Sequence, residues 1–135
     1  MDDAVDAVQT PPVRALVAAH GTFAAGIVSA VEQITGRGAS LRAMSNRGLS
    51  LGDIQIMLAQ TLDETGAQVI FTDLPAGSCT MAVRRLLRER ADVALVTGVN
   101  LSLLLDFVMH DQIDAVTAAH AALERGRASM AAHGA

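Results

Sequence analysis

The chain has 135 residues, which is enough for one domain with its own core but not for two. Hydrophobic residues make up 51% and charged residues 18%, a balance typical of a globular rather than a disordered chain. The net charge of -4, the absence of lysine and the 2% aromatic content argue against a nucleic-acid-binding surface, and they exclude a P-loop lysine and a Schiff-base mechanism.

Residues 1–12 are expected to form a flexible acidic tail, because they contain three aspartates and no basic residue and end in two prolines. An export signal needs a positive segment before an apolar run, so a cytoplasmic location is expected. The longest apolar stretch, residues 93–109, is interrupted by Gly98, Asn100 and Asp106 and is not expected to insert into a membrane. Residues 13–135 are then expected to form a single domain.

Strands and helices are predicted to alternate along this domain. The predicted strands comprise residues 13–19, 39–45, 67–72 and 92–97. Apolar residues recur at helical spacing over residues 22–35, 50–65, 78–91, from 100 onward, and over 113–125. Phe23 and Met81 are expected on buried helix faces. Gly126 is expected to end the last helix, with residues 127–132 either fraying or forming an edge strand.

This alternation predicts a three-layer α/β/α domain with a mainly parallel, four-stranded sheet in the order 2-1-3-4. Ligands of such sheets bind at the carboxyl ends of the strands, where the strand order reverses. In this order the reversal lies between the first and third strands. The segment His20-Gly21-Thr22 and the loop of residues 73–78 are therefore predicted to form the site.

Three side chains in these segments form the candidate site. His20 follows the first strand and Asp73 the third, so the carboxylate is expected to bind one ring nitrogen and leave the other free as a nucleophile or base. Ser78 begins a helix whose N-terminal amides favour an anion, and Gly77 allows the backbone to approach closely. Together they predict phosphoryl transfer through a phosphohistidine. Taken singly, each has an ordinary structural explanation as a strand end, a turn residue or a helix cap.

The remaining candidate residues give weaker evidence for a reaction or a binding site. Cys79 is the only cysteine, so an internal disulfide is excluded, and it lies in the first turn of a predicted helix, where a thiol enzyme using Cys79 and His20 is conceivable. Buried, unreactive cysteine is the more common case. The other histidines, His110, His120 and His133, have no metal-ligand spacing, so no metal site is predicted. No dinucleotide-binding glycine motif is present.

Three motifs point to a known family. They are Ala19-His20-Gly21 with Phe23-Ala24-Ala25-Gly26, then Phe71-Thr72-Asp73-Leu74 with Gly77-Ser78, and finally Thr97-Gly98-Val99-Asn100-Leu101. In this order and spacing, the chain resembles the mannose-type IIA (EIIA) proteins of the bacterial phosphoenolpyruvate-dependent sugar phosphotransferase system (PTS). The resemblance extends from about Val13 to the last helix.

The resemblance implies that His20 accepts a phosphoryl group from the phosphocarrier HPr and passes it to a IIB component, in sugar uptake or its regulation. It also implies that Asp73 orients the imidazole and that Ser78 contacts the phosphoryl group. The lining of the phosphoryl site would comprise Gly21, Gly77 and Asn100. No cofactor is needed, because the donor is already an activated phosphohistidine. Family members are homodimers that often exchange a C-terminal edge strand, expected here over residues 126–132.

The chain departs from the family pattern at two positions after the third strand. Cys79 stands where a proline is usual, and Met81 where an asparagine is usual. A missing proline reduces the preorganisation of the helix start, and Met81 removes a polar group near the site. A regulatory or orphan phosphorylation-sensing module without sugar transport is therefore an alternative function, alongside the Cys79 thiol enzyme.

Overall fold

The computed structural model describes residues 11–135, and most of the expected acidic tail (residues 1–12) lies outside the described residues. The strands of the described part are β1 (Ala15–Ala19), β2 (Leu41–Ser45), β3 (Val69–Thr72) and β4 (Ala94–Val96). Its α-helices are α1 (Phe23–Thr35), α2 (Leu51–Thr65), α3 (Ser78–Leu86), α4 (Leu101–Met109) and α5 (Ala115–Ala128). A short 3-10 helix, Gly38–Ser40, leads into β2. Within residues 11–135, no helix has both the length and the apolar character needed to cross a membrane.

The four strands form one parallel sheet in the order β2-β1-β3-β4, which confirms the predicted topology. Ala18 of β1 lies opposite Thr72 of β3 in the register. The residues that follow these strands, His20 and Asp73, therefore emerge side by side at the carboxyl edge of the sheet. This edge is the point where the strand order reverses, and it is where parallel sheets bind ligands.

Helices cover both faces of the sheet and complete the three predicted layers. On one face, Val17 and Phe71 belong to a core shared with α1, α4 and α5. On the other face, Leu16 and Ile70 pack with residues of α2 and α3. Because both faces of β1 and β3 are buried, β1 is entirely apolar and β3 is apolar up to its last residue, Thr72.

Two residues that were expected on buried helix faces are exposed. Phe23 is 41% exposed, and the buried residues of α1 are Ala24 and Val31. Met81 is 44% exposed, and the buried residues of α3 are Cys79, Thr80, Ala82, Val83 and Leu86. In both helices an apolar residue of the first turn lies at the carboxyl edge of the sheet, beyond the layer that the helix covers.

Several predicted ends also shift. The helix predicted over residues 78–91 ends at Leu86, because i→i+3 turns follow it: Arg88 and Glu89 donate backbone hydrogen bonds to Arg85 and Leu86. The fourth strand is shorter than residues 92–97 and spans Ala94–Val96. By contrast, α1 and α2 end where predicted.

Gly126 does not end the last helix. α5 continues to Ala128, and Gly126 is buried where α5 crosses α4. A β-carbon at Gly126 would lie only 2.8 Å from the Cβ of Leu103, so the glycine allows close packing rather than a turn. The edge strand expected over residues 126–132 is not formed, because residues 126–128 are helical and residues 130–135 are neither helix nor strand. Strand exchange between two chains stays a prediction.

Candidate active site

His20 and Asp73 form a hydrogen-bonded pair at the carboxyl edge of the sheet. The ring Nδ1 of His20 lies 2.8 Å from Oδ2 of Asp73. A carboxylate only accepts hydrogen bonds, so Nδ1 carries the proton and donates it to Asp73. In the neutral ring, Nε2 then holds a free lone pair. The His20 side chain is 46% exposed and that of Asp73 is 13% exposed, so the imidazole is accessible while the carboxylate that orients it is largely buried.

Hydrogen bonds from His20 keep the carboxyl group of Asp73 ionised. Burial raises the pKa of its carboxyl, but hydrogen bonds from the backbone N–H and the ring of His20 outweigh burial and leave the pKa below its ordinary value. The backbone N–H of His20 donates to the same Oδ2 at 2.9 Å. The other oxygen, Oδ1, is buried and has no hydrogen-bond partner among the described residues. The carboxylate is thus directed entirely at His20.

Two buried threonines hold the loop that carries Asp73. The hydroxyls of Thr72 and Thr80 lie 2.7 Å apart, and Thr80 donates a hydrogen bond of 2.6 Å to the carbonyl of Leu74. Both side chains are fully buried. Because Thr72 ends β3 and Thr80 lies in the first turn of α3, their contact fixes the loop at both of its ends. The position of Asp73 is therefore set by the core.

The N-terminus of α3 faces the imidazole of His20. Gly77 precedes the helix with a φ of +107°, and a β-carbon there would lie 3.3 Å from Cε1 and 3.8 Å from Nε2 of His20. Within residues 11–135 no side chain caps this helix, so its first amides are available to an anion. Ser78, the first residue of α3, adds a hydroxyl to the same position.

The loop between β2 and α2 brings two further residues to the site. The amide Nδ2 of Asn46 donates a 3.0 Å hydrogen bond to Oγ of Ser78. The guanidinium of Arg47 lies over Gly21, with Nη2 3.8 Å from the position of a β-carbon there. Neither residue was predicted from the sequence. The available signal was the strand order itself, because β2 lies beside β1 and its loop must leave the sheet at the same edge.

The sequence of the chain matches one protein-family model over residues 14–124, which is most of its length. The family is EIIA-man, described as the PTS system fructose IIA component. The chain belongs to the EIIA-man family. No curated protein has a significant sequence similarity to it.

Solved structures of EIIA proteins share the fold of this EIIA-man family member. The mannose/sorbose-specific IIA subunit from Enterococcus faecalis has a TM-score of 0.77 at 16% identity, covering 93% of this chain and 97% of that one. The PTS component EIIA from Streptococcus agalactiae has a TM-score of 0.78 at 22% identity, covering 88% and 95%. A sigma-54 interaction domain protein from E. faecalis has a TM-score of 0.70 at 14% identity, covering 90% and 94%.

Not every predicted site residue reaches the histidine of this EIIA-man protein. Gly21, with a φ of +56°, follows His20 directly, and the guanidinium of Arg47 lies next to it. Asn100 is engaged elsewhere: its Oδ1 accepts a hydrogen bond from the amide of Leu103 and its Nδ2 donates to the carbonyl of Gly126. Among the described residues, none of its hydrogen bonds reaches the site. Asn100 therefore ties α4 to α5.

Cys79 does not have the properties of a nucleophilic thiol. Its side chain is buried, and burial together with the nearby Asp73 carboxylate raises the pKa of the thiol to about 11. A reactive thiol requires the opposite shift. At the position where proline is usual in the family, Cys79 instead packs in the core between α3 and the sheet. Among residues 11–135, no group of His, Cys, Asp and Glu side chains is placed to bind a metal ion.

Proposed function

We propose that this EIIA-man protein is a cytoplasmic phosphocarrier in which His20 accepts a phosphoryl group from phospho-HPr and passes it to a IIB component. The observation that carries the proposal is the geometry of His20. Its Nδ1 is bound to the carboxylate of Asp73, which is 13% exposed, while Nε2 of the half-exposed ring lies beside Gly77 at the start of a helix. Family membership supports a role in the PTS.

The chemistry needs no external base or cofactor. The lone pair on Nε2 of His20 attacks phosphorus as the P–N bond of the donor phosphohistidine breaks, and the donor imidazole leaves with that electron pair. His20 becomes a phosphoimidazolium because Nδ1 keeps its proton, and Asp73 stabilises the positive charge of the ring. Transfer to the acceptor reverses these steps, so the proton on Nδ1 never has to move.

The first turn of α3 would hold the phosphoryl oxygens. Its backbone amides and positive dipole end favour an anion next to Nε2. The hydroxyl of Ser78 accepts the hydrogen bond from Asn46, which leaves its own hydrogen free to donate to a phosphoryl oxygen. Positioning and charge stabilisation are what phosphoryl transfer chiefly requires of a protein.

Exposed apolar side chains around His20 support protein partners. Four large ones lie in the segments that follow β1, β2 and β3, namely Phe23, Leu49, Leu74 and Met81. Exposed apolar side chains at the edge of the sheet that carries His20 are typical of a protein-docking surface. We further propose a homodimer, since β4 is an edge strand with unpaired backbone groups and the family pattern implies an exchanged C-terminal strand.

A regulatory module is the second candidate. It would accept a phosphoryl group at His20 but transfer none to a IIB component. Met81 favours it, because this apolar residue is 44% exposed beside the site where the family pattern has an asparagine. One protein of the same fold is a sigma-54 interaction domain protein, although the likeness extends only to the fold.

Phosphoryl labelling tests whether His20 is the residue that accepts the phosphoryl group. We expect incubation with phosphoenolpyruvate, enzyme I and HPr to label the wild-type protein in an acid-labile, alkali-stable form. His20→Ala should remove the label, because no other histidine among the described residues has a ring nitrogen oriented by a buried carboxylate beside a helix N-terminus. His120→Ala, at an exposed histidine of α5, is the matched control and should label normally. Label retained by His20→Ala would disprove the assignment.

A chase experiment separates the two candidate functions. The labelled protein is mixed with a mannose-type IIB component, and the label on each protein is followed with time. Loss of label from His20 with its appearance on the IIB component supports the phosphocarrier. Label that stays on His20, or returns only to HPr, supports the regulatory module.

A further inference from the structure

The turn after β2 holds Arg47 in a defined place. Leu49 N–H donates to the carbonyl of Asn46 at 3.0 Å, which closes a four-residue turn with Arg47 and Gly48 at its centre. Gly48 has a φ of +75°, as the third position of a type II turn requires. The backbone N–H of Arg47 also donates to the hydroxyl of Ser45 at 3.1 Å.

The same turn is anchored to both halves of the candidate site. The backbone N–H of Asn46 donates to the carbonyl of Ala19, the residue before His20, at 3.2 Å. Its side chain donates to Ser78 at the start of α3. Asn46 therefore connects the end of β1 to the helix N-terminus, and Arg47, the next residue, is directed over Gly21.

Within residues 11–135, the charge of Arg47 has no evident structural use. Among the described residues, no carboxylate lies within 4 Å of its guanidinium nitrogens, although several other arginines of the chain form such pairs. Its side chain is exposed. A phosphoryl group on His20 would bring about two negative charges to this edge of the sheet. A guanidinium binds phosphate oxygens through paired N–H donors, which a single hydroxyl cannot do.

We infer that Arg47 is a phosphoryl-binding residue, which pairs with the oxygens of the group on His20 while Asn46 positions Ser78 on the opposite side. The inference rests on the proposed phosphocarrier function. Arg47 then neutralises charge as the phosphoryl group leaves the donor, and it stabilises the loaded state. The site is built from three loops, those after β1, β2 and β3.

The test compares Arg47→Gln with Arg42→Gln, which removes the same charge from an exposed position on β2 opposite Leu16, away from the carboxyl edge. Loading of His20 is measured with two donors, phospho-HPr and the small molecule phosphoramidate. We expect Arg47→Gln to slow loading from both donors by about 10- to 100-fold, the range for losing one charged hydrogen-bonding group. Arg42→Gln should load at the wild-type rate, and Arg47→Lys should lie between.

The two donors make the outcomes distinct. Equal loading of Arg47→Gln and wild type from phosphoramidate would overturn the inference, even if loading from phospho-HPr were slow, because Arg47 would then dock the donor protein only. Loading of wild type by phosphoramidate but not by phospho-HPr would overturn the proposed function, while the Arg47 comparison would still decide this inference. No loading of His20 from either donor would overturn both.

Discussion

At the scale of single residues, the site depends on one carboxylate oxygen. Oδ2 of Asp73 accepts hydrogen bonds from both the ring and the backbone N–H of His20. The backbone bond fixes where the histidine leaves β1, and the ring bond fixes the tautomer and the direction of Nε2. Asp73 thus has a positioning role, and under the proposed function its charge would also stabilise the ring that carries the phosphoryl group.

Asp73→Asn tests these two roles together. An asparagine lacks the negative charge that would stabilise the phosphoimidazolium, and its amide group can donate to Nδ1 and favour the wrong tautomer of His20. We expect the fold to persist and the initial rate of loading from phospho-HPr to fall by about 100-fold or more. The rate is measured by labelling, with circular dichroism as the check on folding. Asp92→Asn, at an exposed aspartate before β4, is the control, and a variant at position 73 that loads as fast as this control would contradict the assignment.

The main residues of the site could be predicted from the sequence, and their neighbours could not. His20 and Asp73 follow apolar strands directly, so the topology alone brings them together. Arg47 lies in a loop with no motif, and its proximity to Gly21 depends on the hydrogen bonds of Asn46. Met81 was expected in the core because its spacing is helical, yet it lies beyond the end of the layer that α3 covers.

At the scale of elements, the close contact between α4 and α5 depends on a glycine, Gly126, at the point where the two helices meet. Gly126 lies against Leu103, and its carbonyl accepts a hydrogen bond from Asn100. The N-terminal end of α4 is therefore joined to the C-terminal half of α5 by both packing and a hydrogen bond. This packing explains why glycine, a residue with low helix propensity, lies inside α5.

Gly126→Ala should destabilise the protein. The new β-carbon would lie 2.8 Å from Cβ of Leu103 and 3.2 Å from Oδ1 of Asn100, so the helices would have to separate. We expect a net loss of about 1–2 kcal/mol in the free energy of unfolding, because overpacking exceeds the gain in helix propensity. Urea denaturation measures the change.

Gly26→Ala provides the control, because a β-carbon added to this helical glycine of α1 would have no atom within 4 Å. There, helix propensity acts alone and stability should rise by about 0.5–1 kcal/mol. Equal effects of the two substitutions would show that Gly126 is not needed for close packing.

At the scale of the whole molecule, carboxylates join segments that are distant in the chain. Asp73 links β3 to β1 through His20. Asp111, which follows α4, pairs with Arg37 after α1 at 2.7 Å. Hydrogen bonds from Gln112 and the charge of Arg37 keep the pKa of Asp111 below its ordinary value. Asp114 caps α5, and hydrogen bonds from Thr117 lower its pKa as well.

These lowered pKa values predict a loss of stability in acid. For Asp73, Asp111 and Asp114 the pKa in the folded protein lies below the unfolded value. Between these two values the unfolded chain binds more protons than the folded one. Their contribution is fully present well above the ordinary Asp pKa of about 3.9 and is lost as the pH falls through the lower pKa values of the folded protein. We expect a lower urea midpoint at pH 3 than at pH 6. The difference between these two midpoints should be smaller in Asp111→Asn than in the wild type. A midpoint that is unchanged or higher at pH 3 would contradict this.

The sequence by itself determined the layered fold, the strand order and the pairing of His20 with Asp73, because hydrophobic periodicity and the handedness of crossovers are local or topological rules. Only the tertiary structure decided that Gly126 lies within a helix, that Asn100 joins α4 to α5 and that Arg47 lies beside Gly21. These features depend on which side chains meet across elements that are far apart in the chain. Such contacts are set by side-chain size and by how closely the layers approach, and neither quantity can be read from spacing along the sequence.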